Sequence, residues 1–221
     1  QGILLGLKDD GLGRAFFIRH SELEFRYCRA HQFTTLSGTS NHGKRENRLD
    51  EYEKYFFDLN GYLVVENALS TEELGTLNEA IDSHADRIKI RSAEQTLAKG
   101  SPALVGKHGR GDLGGMLTWP KPSCEPFRAL LDHPSIMPHL LEVLRDGFRL
   151  DHLYGIITVE GAEGHTLHGG GTADDFTHFY QFHNGRMRCG LTVVSWTLTD
   201  VGPGDGGFMC IPGSHKSNYV S

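Results

Sequence analysis

Leu191-Thr-Val-Val-Ser-Trp-Thr-Leu-Thr199 decides how this chain is read. Successive side chains of a strand point to opposite faces, so Val194, Trp196 and Leu198 share one face, with Val193 and Ser195 on the other. Just upstream, Asn184-Gly185 is a hairpin signal with a mechanism, because both central turn positions need positive φ. The pattern predicts a hairpin turning into one strand over 186–199. Downstream, the turn Gly202-Pro-Gly-Asp-Gly-Gly207 leads into Phe208-Met-Cys-Ile-Pro-Gly-Ser-His-Lys216. Asp-Gly forms turns first, so Asp205 reads as structural. Further upstream, Arg149–Val159 reads as a strand and Glu160–Gly164 as a turn, which delivers His165-Thr-Leu-His-Gly-Gly170.

The rest of the domain is helical before it is stranded. Glu51–Leu59 reads as a short helix stopped by Asn60-Gly61, and Tyr62–Leu69 as a strand. Ser70-Thr-Glu-Glu73 is a capping box opening a helix with Leu74, Leu77 and Ile81 on one face. Residues 99–127 are rich in Gly and Pro, the composition of a long functional or mobile loop. Ile136–Leu144 is a second amphipathic helix with Pro138 in its first turn. Phe16–Ile18 and Leu23–Tyr27 could be short strands, whereas 34–47 is polar and linker-like. Helices first and antiparallel strands later point to a mainly β fold with flanking helices, a double-stranded β-helix or jelly roll.

Composition excludes several classes of function. With 22 Lys and Arg against 28 Asp and Glu, the net charge of -6 offers no basic footprint for nucleic acid. No apolar run approaches the length that spans a bilayer. The short run Gly2–Leu7 is followed at once by Asp9 and Asp10 and reads as no signal peptide. Cys28, Cys124, Cys189 and Cys210 are far apart with no C-x-x-C pair, which points to reduced thiols in an intracellular, cytoplasmic protein. Cys189 and Cys210 sit at strand-like positions and read as small core hydrophobes.

The order of His168-Gly-Gly170, Val194-Ser-Trp196, Gly206-Gly-Phe208 and the Pro212–Lys216 loop resembles the phytanoyl-CoA dioxygenase family of iron(II)/2-oxoglutarate oxygenases. The helix, Asn60-Gly-Tyr-Leu-Val-Val65 and the Ser70-capped helix resemble the start of that domain. The resemblance covers residues 51–221 and leaves 1–50 as an extension of unknown role. It implies Fe(II) and 2-oxoglutarate as cofactors and a small organic molecule as substrate. It implies His168 as a metal ligand, in the family's His-x-Asp pattern, and Trp196 as a wall of the co-substrate pocket.

Two departures accompany it. Where the family pattern has Asp, this chain has Gly170, with Asp174 and Asp175 as the only local carboxylates. A small residue there resembles the iron/2-oxoglutarate halogenases, in which a halide takes the vacated position. The family's distal His and its 2-oxoglutarate-binding Arg lie after the Pro-Gly-Ser-His-Lys loop, so His215 is not expected to be a ligand. Both are expected beyond Ser221, which makes the chain read as a fragment whose jelly roll is incomplete at its C-terminus. Its 221 residues alone are then expected to bind neither iron nor 2-oxoglutarate tightly and to turn over nothing. Two other readings stand beside the oxygenase. One is a catalytically silent jelly-roll binding domain. The other is a metallohydrolase using His165, His168 and His183 with Asp174 or Asp175. His178 and His183, set among aromatics, read more simply as partly buried structural histidines.

Overall fold

A computed structural model describes residues 2–8 and 14–16 as backbone, and 49–145, 147–169, 179–202 and 205–217. The elements in chain order are β1 (Gly2–Lys8), β2 (Arg14–Phe16), α1 (Glu51–Asn60), α2 (Thr71–Asp82), β3 (Lys89–Ile90) and β4 (Gly111–Leu113). After them come α3 (Glu125–Ala129), α4 (Met137–Val143), β5 (Arg149–Ile157), β6 (Gln181–His183), β7 (Arg186–Arg188) and β8 (Leu191–Thr197). Among the described residues these strands make one six-stranded sheet in the order β2-β8-β1-β5-β4-β3, and a separate β6-β7 hairpin. All pairs are antiparallel except β2 with β8.

The expectation of a mainly β fold with flanking helices is met, but the sheet does not close into a barrel. No strand follows β8 among the described residues, and the Phe208–Ile211 run stays irregular. Of the opening fifty residues, read from sequence as an extension, Gly2–Lys8 lies inside the sheet between β8 and β5. The strand expected at 16–18 is placed at Arg14–Phe16, while 23–27 and 34–47 lie outside the described residues.

Side-chain parity sets the architecture. Thr192, Val194 and Trp196 of β8 are buried. Through β1, Trp196 is in register with Gly155 and Val194 with Leu153. Residues of that parity, joined by Leu113 and Ile157, face the helices and pack with Leu77, Ile81, Phe127, Leu130, Leu140 and Val143. Fully burying one such side chain is worth about 1.5–3 kcal/mol. On β5 the register slips between Gly6 and Leu7, so His152 and Leu150 pair with successive β1 residues and Asp151 is extra. That bulge returns Leu150 to the core side beside Leu153, where strict alternation would have turned it away.

The helices follow the sequence signals closely. Ser70 accepts from the Glu73 amide at 3.2 Å while the Glu73 carboxylate takes the Ser70 amide at 2.7 Å, the capping box read from sequence. Asp50 and Glu53 make a second one on α1. Pro138 sits in the first turn of α4. Tyr62–Leu69 forms no strand: Leu63 is buried, but the segment has no ladder partner among the described residues and runs into Asn67 at φ 54°. The single strand expected over 186–199 is also broken. The Asn184-Gly185 turn forms, with φ of 52° and 73°, but at Cys189 the chain leaves the hairpin and donates its amide to Val143 O at 2.9 Å. That carbonyl, in the last turn of α4, has no partner within its own helix.

The Glu73 carboxylate has a further partner, the Nε2–H of buried His133 at 3.1 Å. The Ser70 amide and hydroxyl, then His133, hold the Glu73 carboxyl down to about 2 from 4.5. A folded-state value below the unfolded one means the contribution is complete above pH 4.5 and fades as pH falls toward 2. Acid titration of the thermal midpoint should therefore show a shallower fall between those values in Glu73→Gln than in the parent protein. An unchanged slope would contradict this coupling. Gly61 caps α1 at φ 82°, and a Cβ there would lie 2.3 Å from His215 Nδ1. Gly61→Ala is expected to lower stability by more than about 1 kcal/mol in denaturant titration.

Candidate functional site

The sheet face turned away from the helices carries the opposite parity, including Tyr154 and Asp112. An open cleft of about 860 Å³ lies against it, lined by Arg87, Lys89, Arg91, Arg110, Asp112, Tyr154 and His165. Small-molecule sites commonly span roughly 300–1,000 Å³. Asp112 is gripped from both sides: Arg91 Nε lies 2.6 Å from one oxygen and Arg110 Nε 2.9 Å from the other. Arg87 sits over the Trp119 ring at 5.7 Å from its centroid, and Trp119 stacks on His84 at 4.0 Å. The 99–127 region, read from sequence as one long loop, thus holds β4 and α3 and supplies Arg110 and Asp112 to the cleft.

His165 and His168 arrive on a segment fastened to the 96–108 loop. The Glu163 carboxylate accepts from the Thr96 hydroxyl at 2.6 Å and the Leu97 amide at 3.1 Å, while the Thr166 amide donates to Leu97 O at 3.1 Å. The two imidazoles stack with centroids 3.7 Å apart. Burial, then His168 and the cations Arg110, Arg91 and Lys99, push the His165 imidazole down to about 4, so it is neutral at pH 7. His168 is exposed, and its Nδ1 lies 2.8 Å from Thr166 O. An Nδ1–H donated to a carbonyl fixes the tautomer and leaves the Nε2 lone pair free, which is how metal-binding imidazoles are commonly oriented.

The described residues supply one oriented imidazole but no complete set of metal ligands. Among them no group of three or more His, Cys, Asp or Glu could hold a metal ion. Gly170, Asp174, Asp175 and His178 lie outside the described residues. His183 sits exposed on β6, not partly buried as its aromatic neighbours suggested.

Trp196, expected to wall the co-substrate pocket, lies on the helix side of β8, opposite in parity to Tyr154. It is 3% exposed, meets the His133 ring edge-on at 5.3 Å, and does not border the cleft. Its position in the strand was legible, but which face meets the helices depends on the layer packed against it.

His215 belongs to a different construction. Its Nε2–H donates to Asp58 O at 3.0 Å, and Gly213 N–H donates to Asn60 O at 2.9 Å, which serves carbonyls at the end of α1. Its ring lies against Tyr180 at 4.8 Å and Phe57 at 6.4 Å. Asp58 also accepts from the Tyr180 hydroxyl and from Lys216 at 3.1 Å. Burial alone would raise the Asp58 carboxyl, but Tyr180 and Lys216 outweigh it and hold it below its ordinary value. His215 therefore fastens the Pro-Gly-Ser-His-Lys loop to the end of α1. Asp205 is structural too, its carboxylate accepting from the Gly202 amide at 2.7 Å. Cys189 is fully buried and Cys210 half-buried, both as free thiols.

The cleft's basic side chains were not singled out in the sequence, although Arg87-Ile-Lys-Ile-Arg91 alternates cation and isoleucine. Among the described residues no helix is long and apolar enough to cross a membrane. No curated protein and no solved structure was found to match the chain. A protein-family model, phytanoyl-CoA dioxygenase (PhyH), matches residues 57–220, well over half of the chain. The chain therefore belongs to the phytanoyl-CoA dioxygenase family, a family of iron(II)/2-oxoglutarate-dependent oxygenases.

Proposed function

We propose that this protein is an iron(II)/2-oxoglutarate-dependent oxygenase of the hydroxylase type acting on a small organic substrate, with His168 as a metal ligand. The observation that carries the reading is His168 itself, held by Thr166 O with its Nε2 free beside a cation-lined cleft. Family membership supplies the reaction class. When bound, iron would supply the activation of O₂. The protein's part is to orient the imidazole and to keep His165 uncharged beside the ligand.

Gly170 in place of the family's Asp favours a second reading, a variant that accepts a halide at the vacated position. Product analysis with chloride present separates the two, since only the second transfers chlorine to the substrate.

A protein that carries, besides His168, the distal His and the Arg that the resemblance implies is expected to bind stoichiometric iron and to release succinate when supplied with Fe(II) and 2-oxoglutarate. His168→Ala is expected to abolish that iron binding, and retention of a full equivalent would overturn the assignment. His215→Ala is expected to keep most of the iron while losing about 1–3 kcal/mol of stability in denaturant titration, because it removes a hydrogen bond and packed ring at the end of α1. Loss of iron in His215→Ala without loss of stability would show that His215 is a ligand.

A further inference from the structure

Iron chemistry accounts for one histidine and leaves the charge of the cleft unexplained. The chain is acidic overall, yet among the described residues four cationic side chains and a single carboxylate line this one concavity. His165, neutral at pH 7, adds nothing to that surplus.

The geometry keeps these cations available. Asp112 engages Arg91 and Arg110 through their Nε atoms, at 2.6 and 2.9 Å. A guanidinium held that way still presents its terminal Nη donors, and among the described residues neither Nη pair has a partner. Arg87 is steadied over the Trp119 ring, a contact that leaves its N–H edge free for an anion. Lys89 pairs with no carboxylate among the described residues. Arg87 in the turn before β3, Lys89 on β3 and Arg91 just after it line one side of the cleft, and the hydrogen bond from the Arg91 amide to Arg110 O, 3.1 Å, ties that edge to the other arginine. In the family pattern the 2-oxoglutarate carboxylate is clamped by an Arg beyond the Pro-Gly-Ser-His-Lys loop. The Arg87–Lys89–Arg91 edge precedes that loop in the chain and is not the Arg of that pattern.

We infer that the Arg87–Lys89–Arg91 edge of the cleft recognises a doubly charged oxyanion on the substrate, so that the oxygenase acts on a phosphate monoester of a small molecule. An open cleft of about 860 Å³ suits a compact ligand, and the acidic remainder of the chain disfavours a polyanion such as nucleic acid. The assignment of substrate class rests on the proposed oxygenase function, whereas anion binding by this edge does not.

Calorimetric titration separates the two. Glycerol 3-phosphate is the probe, glycerol its uncharged control, and N-oxalylglycine, in the presence of Fe(II), reports on the co-substrate subsite. The protein is expected to bind glycerol 3-phosphate and not glycerol, with affinity falling as NaCl is added. Arg87→Ala and Lys89→Ala should each weaken that binding about tenfold or more, since a hydrogen bond to a charged group is lost. Both should leave N-oxalylglycine affinity within about twofold of the parent. Equal binding of glycerol 3-phosphate by parent and variants, or none by the parent, overturns the inference. So does a parallel loss of N-oxalylglycine, which would assign the edge to the co-substrate. If the parent binds glycerol 3-phosphate but not N-oxalylglycine, the oxygenase reading and the substrate class fall with it, and the anion site alone stands.

Discussion

A strand can bury only every second residue against one layer of helices, and among the described residues such a layer covers one side of the sheet. Everything else follows from which parity meets that layer. On β8 the buried set is Thr192, Val194 and Trp196, and register carries the same face across β1 to Leu153 and Gly155 on β5. The extra residue at Asp151 keeps Leu150 on the core side. The other face is left to Tyr154, Asp112 and the cleft.

Polar groups lock the helices onto that face. Glu73 serves both the N-terminus of α2 and His133, whose ring backs Trp196. Asn78 of α2 reaches Leu198 O at 2.8 Å, and Cys189 N–H donates to the end of α4. His215 and Gly213 serve the last carbonyls of α1. Each of these bonds uses a group that would otherwise be left unpaired at a helix or strand end, where an unsatisfied buried donor or acceptor costs about 1–3 kcal/mol. The Trp196 Nε1 atom, buried without a partner among the described residues, is an exception.

The same division explains the electrostatics. Charge is expensive among the helices, so the cations gather on the other face, where two arginines share one carboxylate. His165 lies where that field and burial act together, and it stays neutral next to the exposed His168. A neutral imidazole beside an oriented one is compatible with a metal ligand, because a protonated ring would repel a cation.

The sequence by itself determined what local chemistry controls. The Ser70–Glu73 box, the Gly61 stop, the Asn184-Gly185 turn and the alternation of 191–197 all formed as their residues dictate, and the motif order identified the family. The Asp50–Glu53 box and the alternation Arg87-Ile-Lys-Ile-Arg91 were equally local and could have been read. Tertiary structure alone decided the rest. It placed Gly2–Lys8 between two strands far away in sequence, and among the described residues it gave Tyr62–Leu69 no ladder partner. It also turned Trp196 toward the helices, and it brought Arg91 and Arg110 to one carboxylate. Alternation says that a strand has two faces, but only the layer packed against it determines which is buried, and only long-range pairing determines which charges meet.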